Sequence, residues 1–147
     1  MGDLPKKVSE QQNKQSGENR LKEQIKVATE GLYFMSETDA EIILFFGSHA
    51  QSVTKEEILS QTKNSTDAPI EERNFMDFFS RLTEIQDWFG DEEKATAQKF
   101  AELKKLLESN LRDLKVFKIG KIQLDVYAVG IDAENNLLGI QTKAVET

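Results

Sequence analysis

The sequence predicts an α+β domain, arranged as a three-layer α/β/α sandwich around a small mixed, mostly antiparallel sheet. Three observations carry that expectation. Strand-like alternation fills the C-terminal third, in "LKVFKIG", "KIQLDVYAV" and "NLLGIQTKAV". Helical spacing of apolar residues dominates from Arg20 to Leu111, broken by one short apolar run, "EIILFF". Helices before and after that run can cover both faces of a sheet. The 147 residues fit one domain with a real core, and nine Phe supply aromatic burial.

Residues 1–20 offer Met1, Leu4 and Val8 as their sizeable apolar groups, among Lys, Glu, Gln, Asn and Ser. Such a stretch cannot offset the entropy of its own ordering, so a flexible tail is expected there, ahead of a single domain over 21–147. From Arg20 the pattern changes. Leu21, Ile25, Ala28 and Leu32 recur at spacings of four, three and four, the stripe of an amphipathic helix whose last turn Gly31 weakens. "GLYFMSE" leads out of that helix through Ser36 and Glu37. A buried strand is expected from Glu41 to Phe46, closed by Gly47.

Thr54 followed by Glu57 has the spacing of a capping box, so a short helix starts there and fades by Thr62. "KNSTDAP" reads as loop, closed by Pro69. Asn74 or Asp77 can start the next helix, where Phe75, Phe78, Phe79 and Leu82 form an apolar face that belongs to the core. "EIQDWFG" interrupts. The longest helix then runs from Asp91 to about Leu111, with Asp91 as its cap, Glu92 and Glu93 at its positive end, and Phe100, Leu103, Leu107 and Leu111 facing inward. Two strands follow, joined tightly across Gly120. The second puts Ile122, Leu124, Val126 and Ala128 on one face and Gln123, Asp125 and Tyr127 on the other. After the turn "GIDAENN", the last strand runs from Leu137 to the C-terminus, with Leu138, Ile140, Thr142 and Ala144 sharing a face.

The net charge is −7, from 26 acidic against 19 basic residues. That sign repels phosphate backbones and disfavours direct nucleic-acid binding; it suits a basic protein partner, or serves solubility alone. With no cysteine, disulfides, thiolate metal sites and cysteine nucleophiles are excluded. No apolar run approaches the roughly 20 residues that cross a bilayer, and the N-terminus lacks the apolar core of a signal peptide. A cytoplasmic location is expected.

No constellation in the chain argues for an enzyme. The single histidine, His49, lies in "GSHAQS" with no second ligand or general base visible nearby, and that loop is no nucleophile elbow. The pairs Glu56–Glu57, Glu71–Glu72 and Glu92–Glu93 lie on or beside helices, where neighbouring side chains point about 100° apart and do not chelate together. What stands out is a set of polar or aromatic groups on irregular backbone: Glu37 after the first helix, Gln86, Asp87 and Trp88 before the longest one, and Thr147 at the end. A large aromatic on a loop is an interface anchor or a plug for the core, and Trp88 admits both readings. Glu37 alone reads as a solvated carboxylate at a helix end.

At these residues the chain resembles the nuclease A inhibitor family, small proteins that block sugar-nonspecific DNA/RNA nucleases. The resemblance runs from Leu21 to Thr147. It rests on "GLYFMSE", "QTKNSTDAP", "FFSRLTEIQDW" running into "DEE", "LDVYAVG" and "NLLGIQTKAVET", five separated blocks in one order. It implies a PR-1-like α/β/α fold and stoichiometric inhibition of a nuclease that works with Mg²⁺ and a histidine base. It also implies that Thr147 reaches the nuclease's active-site metal, directly or through its water, with Glu37 and Trp88 supporting and Gln86 and Asp87 flanking the tryptophan. The inhibitor would then need no cofactor or metal of its own and could act as a monomer. The family pattern has a proline where this chain has Ile85 and a tyrosine where it has Phe89, so Trp88 can be aimed differently here. Two further readings stand beside inhibition. One is a non-inhibitory binding module of the same fold with another partner. The other is a small enzyme or ligand-binding domain, which needs a pocket with convergent polar groups.

Overall fold

The alternation of the C-terminal third decides the architecture. In the computed structural model, which describes residues 19–146, three long strands follow one another: β5 (Arg112–Gly120), β6 (Gln123–Ile131) and β7 (Asn136–Val145). They form the middle of a five-stranded sheet of order β3-β7-β6-β5-β4, in which β3 is Ile43–His49 and β4 is Ile70–Arg73. Every pairing in it is antiparallel, so the expected mixed sheet is corrected to an antiparallel one. Consecutive strands joined by short turns pair antiparallel without a crossover, which is why no parallel pair arises among β5, β6 and β7. Among the described residues, four helices accompany the sheet: α1 (19–29), α2 (Lys55–Gln61), α3 (Phe75–Thr83) and α4 (Asp91–Asn110). The fold is α+β.

Strand parity sorts the core into two clusters. Val116, Leu124, Val126, Ala128, Leu138, Ile140 and Ala144 pack with Ile25 of α1, Phe75 and Phe79 of α3, and Phe100, Leu103 and Leu107 of α4. The residues of opposite parity, Phe117, Ile119, Tyr127, Val129, Ile131 and Leu137, pack with Val53, Ile58 and Leu59 at α2. Both faces of the sheet are therefore apolar, as a sheet covered on both sides requires. Phe34 and Phe78 stack with centroids 5.5 Å apart, joining the segment after α1 to α3.

Most helix signals hold. Thr54 caps α2 by accepting from the Glu57 amide at 3.1 Å, while the Glu57 carboxylate turns away to Gln61 Nε2. Asn74 caps α3, accepting from the Asp77 amide at 3.0 Å. The cap of α4 is Gly90 rather than Asp91, and the Glu93 carboxylate accepts from the Gly90 amide at 3.2 Å. Asn19 and Arg20 are already helical, so the expected tail is shorter than twenty residues at its inner end; the rest of it, residues 1–18, lies outside the described residues.

The strands depart further from expectation. "YFM" is not a lead-out from the helix but β1 (Tyr33–Met35), which pairs with β2 (Asp39–Glu41) in a separate two-stranded hairpin. Glu41 ends that hairpin, and the strand expected at Glu41–Phe46 instead starts at Ile43 and passes through Gly47 to His49. "IEER", given no strand assignment, pairs with β5 as β4. Ile122 leaves the face expected for it, because it sits in the turn between β5 and β6 and is 57% exposed.

The centre of the sheet is tight. A Cβ at Gly139 would overlap the Ala128 carbonyl oxygen on the neighbouring strand, so only glycine fits there. Among the described residues no helix is long and apolar enough to cross a bilayer.

Candidate interface at the end of the last strand

The end of β7 needs partners that the main sheet does not supply. On one side, β7 stays paired with β6 as far as Val145, opposite Gln123. On the other, its pairing with β3 stops at Gln141, opposite Ile43. A strand edge left bare would expose unpaired amides and carbonyls. The β1–β2 hairpin covers that edge instead. Thr142, buried in β7, donates its hydroxyl to the Glu41 carbonyl at 2.8 Å. Further along, the Val145 amide donates to Ser36 Oγ at 3.0 Å, and the Glu37 amide donates to the Val145 carbonyl at 3.4 Å.

Glu37 thus occupies the turn of a hairpin, not the end of a helix, and that turn lies against the last strand. Sequence reasoning placed Glu37 and Thr147 in one site without seeing what joins them. The structure brings Glu37 to Val145, two residues before Thr147; Thr147 itself lies outside the described residues.

Glu146 is held from the opposite side. Its amide donates to the Ile122 carbonyl at 2.9 Å, and its carboxylate accepts from Lys118 Nζ at 2.6 Å. Lys118 stands on β5, so its side chain crosses the intervening strand β6 to reach Glu146. Only 15% of the Lys118 side chain is exposed, which shields the pair on one side from screening by solvent. Sequence reasoning missed Ser36, Lys118 and Glu146. Ser36 lies inside the "FMSE" block and could have been found there. Lys118 and Glu146 are 28 residues apart and carried no local signal.

Trp88 belongs to another part of the surface. It sits in the turn between α3 and α4, closed by the Phe89 amide donating to the Gln86 carbonyl at 3.1 Å. It is 75% exposed, so it does not plug the core. Its ring meets Phe89 edge to face, 4.7 Å between centroids, and Phe89 is half-buried, so Trp88 is braced from within its own turn. Asp87 is exposed beside it and Gln86 half-buried. Ile85, also exposed, follows Glu84, whose extended backbone with ψ of 131° ends α3. The turn is linked to the hairpin through α3, whose Phe78 carries the stacked contact with Phe34 of β1.

Two surface depressions lie elsewhere, beside β3. One, of about 340 Å³, is lined by Phe45, Phe46, Gln61 and Tyr127; the other, of about 440 Å³, lies between α1 and Ile42–Leu44. Neither is lined by Glu37, Gln86–Trp88 or the end of β7. His49 is exposed at the end of β3, opposite Asn136. Among the described residues no three His, Asp or Glu side chains are grouped to hold a metal ion.

These features define an acidic α+β protein whose distinctive exposed groups stand on turns and on a held strand end, outside those two depressions. A family model described as nuclease A inhibitor-like protein matches residues 19–147. The chain belongs to that nuclease A inhibitor-like family. Among curated proteins, none matches the chain.

Proposed function

We propose that this protein is a stoichiometric inhibitor of a sugar-nonspecific, Mg²⁺-dependent DNA/RNA nuclease, acting as a monomer in the cytoplasm. Thr147 is directed toward the active-site metal of the nuclease. Family membership supports the inhibitor role, which entails a protein partner. The observation that carries the mechanism is the hold on the end of β7, by the hairpin at Val145 on one side and by Ile122 and Lys118 at Glu146 on the other. A C-terminal threonine presents a carboxylate and a hydroxyl close together, and Mg²⁺ prefers such hard oxygens while keeping several waters. The terminus takes the place of a scissile phosphate and offers no bond to cut. Because the strand is already ordered, less entropy opposes binding. Glu37 lies beside the same strand end, and Trp88, with Gln86 and Asp87, provides a second contact as an exposed aromatic anchor. The two clusters on opposite sheet faces support the α/β/α layering of a PR-1-like fold.

The test is a plasmid-digestion titration against such a nuclease, with the native protein beside a version carrying one alanine after Thr147. Stoichiometric inhibition that the added residue abolishes is the expected result. Equal inhibition by both proteins refutes insertion of the terminus. If neither inhibits, the family fold serves a different partner here.

A further inference from the structure

We propose that Ser36 and Lys118 are positioning residues that aim the C-terminal residue by gripping the two residues before it from opposite sides of the strand. The proposal rests on the inhibitor reading above and extends it to groups that do not touch the metal themselves.

The geometry assigns the two residues complementary parts. Ser36 Oγ donates its one proton to the Thr38 carbonyl at 3.1 Å, across the β1–β2 turn. That bond orients the hydroxyl, whose two lone pairs accept from the Thr38 amide at 3.4 Å and from the Val145 amide at 3.0 Å. The Ser36 amide also donates to the Thr38 carbonyl at 3.0 Å, which makes the turn a stiff mount and not a loose flap. Lys118 works on the next residue. Alternation along β7 turns the Val145 amide toward the hairpin and the Glu146 amide toward β6, where it meets the Ile122 carbonyl. The Glu146 side chain returns over the sheet to the Lys118 ammonium at 2.6 Å. Beyond Gln141, where β3 and β7 part, Val145 has no partner on β3. The Glu37 amide meets its carbonyl there, and the Ser36 side chain supplies the acceptor that its amide needs. Two grips on successive residues, facing opposite ways, remove rotation of the strand tip about its own axis. The direction of the following residue is set as a consequence.

The test uses the full chain, with Ser36→Ala and Lys118→Met as disruptive variants and Ser36→Thr and Lys118→Arg as conservative ones. Two readouts are taken: amide hydrogen exchange at Val145 and Glu146 in the free protein, and the inhibition constant against the nuclease. Each disruptive variant is expected to speed exchange at its own contact and to weaken inhibition about fivefold to tenfold, the scale of one lost hydrogen bond. Each conservative variant restores both, while thermal unfolding of all four stays close to that of the native protein. Unchanged exchange and inhibition in Ser36→Ala and Lys118→Met overturn the proposal. So does weakened inhibition that the conservative variants fail to rescue. If the native protein does not inhibit at all, the inhibitor reading falls by itself. Exchange then decides the grip: faster exchange reversed by Thr and Arg upholds it, and unaltered exchange removes it.

Discussion

Tyr127 shows how one residue can couple two demands. It lies on β6 in the cluster beneath α2, 8% exposed, with the Phe45 ring edge-on at 5.2 Å. Burial, and after it the nearby Asp125 carboxylate, pushes the phenol above its ordinary value. An unfolded tyrosine ionises near pH 10. Above about that pH the unfolded chain gives up a proton that the folded chain keeps, so stability falls as pH rises. Below it both states are protonated and Tyr127 contributes nothing to the pH dependence. Tyr127→Phe is therefore expected to flatten the alkaline loss of stability, measured by urea unfolding at several pH values from about 9 to 11. Trp88 makes a different point at the same scale. From sequence its ring fits a core plug or an interface anchor equally well. Only the path of the turn between α3 and α4 leaves it outside. Its neighbours in sequence do not encode that path; the packing of the two helices does.

At the scale of elements, legibility follows length and locality. Helix starts are written in short-range chemistry, because a cap needs a side-chain oxygen and an amide three residues on. Asn74 illustrates it, and Asn74→Ala is expected to lower the unfolding free energy by about 1 kcal/mol, with Asn74→Asp near neutral, as read by denaturant titration. The strands that sequence reasoning missed are the short ones. β1 and β2 have three residues each and β4 has four. None is long enough to show alternation, and three of the four residues of β4 are exposed and charged at the sheet edge. Their stability comes from partners far along the chain: β5 for β4, and the last strand for the hairpin. A window of neighbouring residues contains no trace of those partners.

For the whole molecule, charge is the property that acts at a distance. If the proposed nuclease presents a basic cleft, a net −7 is expected to speed encounter by steering. Raising salt from about 0.01 M to 1 M shortens the screening length from roughly 30 Å to 3 Å. The association rate constant is expected to fall at least severalfold over that range, with a smaller change in dissociation, in stopped-flow or surface-binding kinetics. A rate insensitive to salt would show that charge serves solubility alone. The two apolar clusters make the sheet a rigid frame, because residues of opposite parity on β5, β6 and β7 pack into different clusters.

The sequence by itself determined the helices, the Thr54 cap of α2, the three long strands with most of their inward faces, and the sign of the surface. All of these follow from periodicity and composition within a few turns or a single strand. It also pointed to Glu37, Trp88 and Thr147, through a resemblance and not through any contact readable in the chain. Tertiary structure decided that the hairpin around Ser36 closes the open edge of β7, and that Lys118 reaches across a strand to Glu146. The reason is physical. A strand end that outruns its neighbour must find hydrogen-bond partners wherever the fold brings them, and here they lie 109 and 28 residues away in the chain.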